Sequence, residues 1–507
     1  MQHREGMAEF ISIFFSNGYL LGATFIVFLF ILDFMKSRKN GSHFPPGPKG
    51  LPFLGNILQV DYRNPTVTFI QVKKEFGDVF SLQYFWKKMV VLNGFEVVKE
   101  VLINKSEDSA DRPRFPIYET VGYTGDTKGI VLAQYGRSWK EQRRFAITTL
   151  RNFGMGKKSL EEKVTEEAQF LCSEFKSQKD QFDPILLINN AASNVICSFA
   201  FGERFEYNDE KFKRLVLLYH ASLKAKYGLL GQILNEIPIL THIPWLVDHV
   251  MESEYELIAF LEEMISEHQK TWDPSYTRDF IDAYLVEMEK VKEDVSSSFN
   301  EANLLLTTYD LFIAGSETTG VTLRWAVLFM ILYPDVQSKV QEEIDRVIGR
   351  ERKPTMGDVL QMPYTNAVIH EMQRYGDIVP LSLPHMTYRD MEIKGFIIPK
   401  GTTIITNLSS VLKDHEVWEK PLQFYPKHFL DENGKFVKRE AFIPFSAGRR
   451  VCLGEQLARM ELFLFFTTFL QQLTFEIPND QPRPREDPIY ALGLIPHPYN
   501  IRVVARV

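Results

Sequence analysis

The longest apolar run of the chain lies near its beginning, where Ile11 to Leu32 contains no charged side chain and is rich in Phe, Ile and Leu. A helix of this length spans about 33 Å, enough to cross the hydrocarbon core of a bilayer. Basic residues follow the run at Lys36, Arg38 and Lys39, which favours a cytoplasmic position for the rest of the chain. The pattern predicts an N-terminal membrane anchor in residues 1–35, with the span at about 11–32. A cleaved signal peptide is the alternative, but no A-x-A-like site follows.

Proline and glycine dominate the next segment, Phe44-Pro-Pro-Gly-Pro-Lys-Gly-Leu-Pro52. They stiffen the chain and prevent the anchor helix from continuing. We interpret residues 36–55 as a basic, proline-rich hinge and residues 56–507 as one globular domain.

Helical periodicity dominates that domain, with a few short strand-like runs between the helices. The strand-like runs are Val79–Tyr84, Met89–Leu92 and a portion from about Met391 to Ile405. The predicted helices are Leu160–Phe175, Phe212–Leu230, Ser253–Trp272, Glu301–Leu332, Asp335–Ile348 and an apolar run from Leu457 to Leu473. The expected fold class is therefore mainly α with small β-sheets.

Composition narrows the possible functions. The chain has 507 residues, of which 45% are hydrophobic and 13% aromatic, so it can bury a large core. A net charge of -7 gives no sign of nucleic-acid binding. Its three cysteines, Cys172, Cys197 and Cys452, are far apart, which fits a reducing compartment and excludes a disulfide scaffold. No C-x-x-C or H-E-x-x-H motif supports zinc chemistry.

Cys452 differs from the other two cysteines because it stands in a glycine-punctuated loop directly before an apolar helical run. The positive end of a helix dipole favours thiolate over thiol. Gly448 and Gly454 allow backbone conformations that turn N–H groups toward the sulfur. Arg450 could meet an anionic cofactor edge. The pattern predicts a metal ligand, although a lone cysteine is more often a buried structural residue.

A second unusual stretch is Ala314-Gly-Ser-Glu-Thr-Thr319, inside the predicted helix Glu301–Leu332. Glycine and adjacent threonines are poor helix formers, and a threonine hydroxyl can bond the carbonyl one turn back. Such a break of local rules in an apolar setting indicates a functional site. The alternative is a core helix with a tolerated polar patch.

Two residue pairs have helical spacing. Glu371 and Arg374 stand at i, i+3, and Trp139 and Arg143 at i, i+4, so each pair shares a helix face. Most acid–base pairs at this spacing are exposed and contribute little to stability.

These motifs together resemble those of the cytochrome P450 superfamily. Phe445 to Gly454 fits the haem-binding signature F-x-x-G-x-R-x-C-x-G, and Ala314 to Thr319 fits the oxygen-activation segment A-G-x-E-T-T. The E-x-x-R and W-x-x-x-R pairs and the proline-rich hinge also match, and the resemblance covers nearly the whole chain. Longer runs such as Ile404–Asp414 and Ala458–Phe466 are most similar to vertebrate microsomal family 2, subfamily 2D.

The resemblance implies a cytochrome P450 fold and a role for each matching residue. Haem b would have the Cys452 thiolate as its axial iron ligand. The other expected cofactor-binding residues are Phe445, Gly448, Gly454, Trp139, Arg143, His385 and Arg450, the last four at the propionates. Thr318 and Glu317 would handle dioxygen and protons. Glu371, Arg374 and His428 would form a structural network, with His428 standing where arginine is commonest.

The implied activity is a monooxygenase that inserts one oxygen atom from O2 into lipophilic small molecules such as xenobiotics, amines, fatty acids or steroids. Electrons would come from NADPH through a flavoprotein reductase, with cytochrome b5 as a further candidate partner and the endoplasmic reticulum membrane as the location. Several of Arg137, Lys140, Arg143, Arg144, Arg449 and Arg450 would form a basic surface that docks the reductase, or they lie on an ordinary solvated helix face. A haem-thiolate isomerase or dehydrase and a non-catalytic carrier of lipophiles are the alternatives.

The resemblance leaves the substrate open. Subfamily 2D is associated with lipophilic amines held by acidic residues, and Asp310 matches one such position. The second acidic position falls at Ala221, which puts an amine preference in doubt. The other expected pocket residues are Val131, Tyr490 and Leu492. Asp310 could equally brace the backbone of the neighbouring loop.

Overall fold

The computed structural model describes residues 43–125, 129–153, 158–178, 180–294, 296–491 and 493–506, together with Thr24. The predicted anchor at 11–32 and the start of the predicted hinge, apart from Thr24, lie outside these residues. Within these ranges, no helix combines the length and apolar character that a bilayer crossing requires.

The described part is mainly α-helical. Its α-helices are α1 (Pro65–Phe76), α2 (Phe95–Lys99), α3 (Pro116–Glu119), α4 (Arg137–Phe153), α5 (Lys158–Ser177), α6 (Ile185–Ala200), α7 (Glu210–Lys226), α8 (Leu229–Glu236), α9 (Pro244–Lys270), α10 (Phe280–Lys290), α11 (Glu301–Leu332), α12 (Pro334–Val347), α13 (Pro363–Gly376), α14 (Ser409–Leu412) and α15 (Glu455–Gln472).

Small sheets lie around the helices, as expected from the fold class. The strands are β1 (Val79–Tyr84), β2 (Lys87–Leu92), β3 (His385–Met386), β4 (Met391–Ile393), β5 (Phe396–Ile398), β6 (Thr403–Thr406), β7 (Leu473–Glu476), β8 (Pro488–Tyr490), β9 (Leu494–Pro496) and β10 (Arg502–Ala505). One sheet has four strands in the order β1-β2-β6-β3, and the others are the pairs β10-β7, β4-β5 and β8-β9. The parallel β2–β6 pairing, with Met89 opposite Thr403, joins the two halves of the sequence.

Helix α11 forms the centre of the fold and packs against α6, α13 and α15. Asn300 caps its start by accepting a hydrogen bond from the Asn303 N–H at 2.8 Å. A Cβ atom on Gly315 would lie 2.3 Å from Cδ1 of Ile196, so a larger residue there would force the Ile196 side chain of α6 to move. The poor helix former in this stretch therefore has a packing reason as well as any functional one.

A buried ionic network ties α13 to the segment between residues 412 and 428. Arg374 donates two hydrogen bonds of 2.7 Å to the Glu371 carboxylate, and both side chains are fully buried. The N–H of Lys420 donates to Nε2 of His428, so Nδ1 carries the proton and donates to Glu371 at 3.1 Å. Arg374 also donates to backbone carbonyls of residues 412, 421 and 423. The histidine thus completes the network in neutral form.

The structure corrects one predicted helix and adds several that the pattern did not predict, among them α1, α6 and α10. The run Phe212–Leu230 is two helices, because Gly228 adopts an extended conformation between α7 and α8. From Ile188 to Ala200, α6 buries its polar as well as its apolar side chains, so it has no exposed polar face there.

Candidate functional site

Cys452 lies between a short 3-10 turn, Gly448–Arg450, and the start of α15. Its backbone N–H donates to the Phe445 carbonyl at 3.0 Å. The thiol has accessible surface, yet enough protein surrounds the sulfur that burial raises its pKa. Backbone N–H groups of Gly454 and Glu455 oppose that rise. The loop thus supplies donors to a thiolate, and a metal cation would favour the thiolate further.

Accessibility separates Cys452 from the other cysteines. Cys172 and Cys197 are buried in the core, and burial raises the pKa of Cys172 to about 12. Cys452 is therefore the cysteine suited to metal ligation.

The two loop glycines have different roles. Gly448 has φ +74, and a Cβ there would lie 1.7 Å from the Leu102 carbonyl oxygen, so only glycine fits. Gly454 has φ -89, which any residue adopts, so the N–H that it turns toward the sulfur does not depend on a glycine. A Cβ on Gly454 would meet no atom within 4 Å.

Arginines from three parts of the chain lie close together, and two of them contact the buried ring of Trp139. The guanidinium carbon of Arg450 lies 4.1 Å from the ring centroid, and that of Arg143 lies 5.6 Å away. Arg143 donates to the Val451 carbonyl at 2.6 Å. Arg450 donates to the carbonyls of Ala110, Ala133 and Ile130. Arg112 donates to those of Val131, Leu383 and Pro384.

This cluster has more positive than negative charge. Burial and the neighbouring Arg112 lower the pKa of Arg450 to about 8, and burial with Arg143 lowers that of Arg112 to about 10. Asp111 opposes both shifts. The Nε1–H of Trp139 is buried without a hydrogen-bond partner. Buried cations beside an unused donor favour an anionic group of carboxylate type.

His385 adjoins the cluster. Burial and the charge of Arg112 lower its pKa to about 3, so the ring is neutral. Its Nδ1 is 2.8 Å from the Ser109 carbonyl and donates to it, which leaves Nε2 as an acceptor. A bond from Nε2 to a carboxylate would therefore require a second proton, which an approaching anion favours.

Thr318, on α11, makes the hydrogen bond to the preceding helical turn that the sequence predicts. Its Oγ1 donates to the Ala314 carbonyl at 2.7 Å. Ala314 is exposed and Thr318 half-buried, although the helix is otherwise largely buried. Open space therefore adjoins this face of α11, and α11 packs on α15, which follows Cys452.

Glu317 is tied to α7. The Tyr219 hydroxyl donates to its carboxylate, and Nδ1 of His220 lies 4.0 Å from the same oxygen. Burial lowers the pKa of His220, while Glu317 opposes the shift. His220 also retains 36% of its side-chain surface, so it connects Glu317 to accessible space.

The carboxylate of Asp310 accepts hydrogen bonds from other residues of the protein. It accepts hydrogen bonds from the N–H of Ile130 at 2.7 Å, the N–H of Val131 at 2.9 Å and the Tyr123 hydroxyl at 3.0 Å. Burial nevertheless raises its pKa to about 6. Asp310 was predicted either to bind an amine substrate or to brace the neighbouring loop, and these contacts support the second role.

The remaining pocket residues have different environments. Val131 is half-buried in the loop held by Asp310, and Ala221 is exposed on α7. Burial and the nearby Tyr227 raise the pKa of Tyr490 to about 12. Leu492 lies outside the described residues.

Sequence reasoning missed two charged residues. Arg112 belongs to the run Ala110–Pro113, whose single arginine beside an aspartate gave no sign of burial. Lys226, near the end of the predicted helix Phe212–Leu230, reads as a surface lysine but is 2% exposed.

Comparison with known proteins agrees with this geometry. A family model described as Cytochrome P450 matches residues 45–503. The chain is 54% identical to cytochrome P450 2D15 of Canis lupus familiaris over 489 residues, 96% of this chain and 98% of the relative. It is 53% identical to cytochrome P450 2D6 of Homo sapiens over 483 residues, 95% and 97% of the two chains. These matches confirm the expected haem-thiolate cofactor and monooxygenase class. The chain therefore belongs to the cytochrome P450 family and is most similar to its 2D members.

Proposed function

We propose that this protein is a microsomal monooxygenase that inserts one oxygen atom from O2 into lipophilic xenobiotics. The proposal rests on Cys452, an accessible cysteine whose sulfur is met by backbone N–H donors and which lies just before helix α15. The electrons come from NADPH through a flavoprotein reductase. The acid–threonine pair Glu317 and Thr318 favours this reaction over an isomerase, a dehydrase or a carrier, which need no delivered protons.

The residues present fit a haem. Cys452 would ligate its iron. Arg112, Arg143 and Arg450, with the unpartnered Nε1–H of Trp139, would hold its propionates. When bound, a thiolate-ligated haem supplies the binding and cleavage of dioxygen.

The chain's own contribution to the chemistry is a route for protons. We assign Thr318 to orient a proton donor at the open face of α11, because its hydroxyl is already fixed on the Ala314 carbonyl. Glu317 receives protons through Tyr219 and the partly accessible His220. Both groups are held on packed helices, which keeps water out of the remainder of the site.

A basic surface offers a docking place for the reductase. Arg143 and Arg450 turn into the protein, whereas Arg137, Lys140, Arg144 and Arg449 are exposed. Glu141 and Asp294 pair with Arg137, and Glu107 lies near Arg449, so part of the charge is locally balanced. We assign this surface to an acidic flavoprotein, with cytochrome b5 as a second candidate.

We place the protein at the endoplasmic reticulum membrane, with the predicted anchor at 11–32 in the bilayer and the catalytic domain on the cytosolic side. An exposed apolar group supports contact with lipid: Leu229 is 73% exposed, and Ile239 and Trp245 are each 70% exposed. Trp86 is 50% exposed, and the adjacent Lys87 donates to the Asn235 carbonyl at 3.1 Å. Apolar side chains gathered in this way are typical of an interaction surface.

The activity itself has a direct test. The full chain with reductase, NADPH, 18O2 and a lipophilic substrate should form a product that carries one labelled oxygen atom. Cys452→Ala should form no such product and should lose the thiolate-type carbon monoxide spectrum. Product formed without NADPH would favour an isomerase, and binding without product would favour a carrier.

Retention of haem tests the arginine cluster. Arg112→Leu should speed haem loss to apomyoglobin by about tenfold or more, because one charge-assisted hydrogen bond contributes about 1.5–3 kcal/mol. The control is Arg449→Leu, which removes an exposed arginine next to Arg450. Equal rates in the two variants would contradict the assignment of Arg112.

The docking surface predicts a dependence on salt. The rate at which the reductase reduces the iron should fall as ionic strength rises, because screening weakens attraction between the two surfaces. Lys140→Ala/Arg144→Ala should show a lower rate and a weaker salt dependence, whereas Arg485→Ala, exposed elsewhere, should not. A rate that is indifferent to salt would exclude this docking mode.

Membrane contact can be followed by fluorescence. In bilayers of brominated lipid, the full chain should be quenched, and Trp245→Phe should lose part of that quenching because Trp245 reaches the lipid. Trp418→Phe removes a buried indole and serves as the control. If Trp245→Phe and the unsubstituted chain are quenched to the same extent, this surface does not meet lipid.

A further inference from the structure

Lys226, at the end of α7, carries an ammonium group that is buried among polar partners. Its Nζ donates to Oε2 of Glu254 at 2.8 Å and to the Tyr309 hydroxyl at 2.7 Å. The hydroxyl of Ser222 donates to the same glutamate oxygen. Glu254 is fully buried, so the pair is sealed from solvent.

Aromatic rings complete the surroundings of this ammonium. Nζ lies 4.9 Å from the ring centroid of Tyr118, whereas it meets Tyr309 through the hydroxyl oxygen, at the edge of that ring. A ring face at this distance attracts a cation, and more strongly where water is excluded. A carboxylate, a phenol oxygen and one ring face form the chemistry that recognises an organic ammonium ion. Burial lowers the pKa of Lys226, and Glu254 opposes that shift.

This cation site shares a wall with the predicted substrate region. Tyr123 packs edge-on against Tyr118, with ring centroids 5.6 Å apart, and lies 6.4 Å from Tyr309. The same tyrosine donates to Asp310, which holds the loop containing Val131. The two carboxylates here are thus both engaged, Glu254 by Lys226 and Asp310 by the loop.

We propose that Lys226 is a specificity-determining residue whose tethered ammonium fills a cation site that a lipophilic amine would otherwise use. The substrate region therefore favours neutral lipophiles over cationic ones, since an incoming ammonium meets the like charge of Lys226, and both nearby carboxylates already accept hydrogen bonds from the protein. This inference rests on the proposed function, because it concerns the substrates of the same site.

Equilibrium dialysis of the full-length holoenzyme tests this inference with two probes that have the same shape and differ in charge. These are the 3-phenylpropyl-trimethylammonium ion, which cannot ligate iron, and its neutral tert-butyl counterpart. The unsubstituted protein should bind the neutral compound more tightly. Lys226→Met should shift the ratio of dissociation constants toward the cation by about tenfold or more, as expected for a lost like-charge contact. Lys224→Met, exposed on the same helix, should leave the ratio unchanged, and Lys226→Met/Glu254→Gln should show no preference for the cation.

A second measurement needs no turnover. Lys226→Ala should gain about 2 °C or more in melting temperature from n-butylammonium, since a ligand that binds only the folded state stabilises it. n-Butanol should give no such gain, nor should n-butylammonium with Lys224→Ala. Cation preference in the unsubstituted protein, or equal ratios in Lys226→Met and the unsubstituted protein, would overturn the inference. If the protein oxygenates its substrate but the dissociation-constant ratio and the melting temperature do not change as expected, only the role of Lys226 is refuted. If both change as expected but no oxygenation occurs, only the proposed reaction is refuted.

Discussion

The site depends on positive charge that the protein buries and only partly balances. Arg143 and Arg450 contact Trp139 and Arg112 lies near both, while Asp111 is the carboxylate that opposes the lowered pKa of Arg112 and Arg450. Burial of a cation is costly unless its donors are satisfied and an anion lies nearby. Backbone carbonyls meet the first need, and the propionates of a haem would meet the second. Folding of this region and binding of the cofactor are therefore coupled.

The same arginines fix the loop that borders the substrate region. The carbonyl of Val131 accepts from Arg112 and that of Ile130 from Arg450, while the N–H groups of both residues donate to Asp310. Two successive peptide units thus connect the arginine cluster to α11. A change at Asp310 would move the loop and disturb the propionate contacts, so its effect on substrate binding cannot be read as direct contact with substrate.

Local sequence patterns predicted the parts of the fold and of the site that depend on interactions between nearby residues. Helix α11 and strand β1 have their predicted bounds, and the Thr318 hydroxyl bonds the carbonyl that its spacing indicates. Features that depend on distant segments were not predictable. Helix α6 buries its polar side chains together with its apolar ones, and the burial of Arg112 and Lys226 is decided by segments far away in sequence. The sequence also suggested special backbone at both loop glycines, whereas only Gly448 has it.

The role of a buried charge depends on its partner and not on residue type alone. Glu317 meets Tyr219 and a histidine that keeps accessible surface, so protons can reach it. Glu254 meets Lys226 in a sealed aromatic environment, so its charge is held in place by an ion pair. Both glutamates bond side chains of α7, at Tyr219 and at Lys226, about two helical turns apart along that helix. One helix therefore supplies the proton route at one point and restricts the choice of substrate at another.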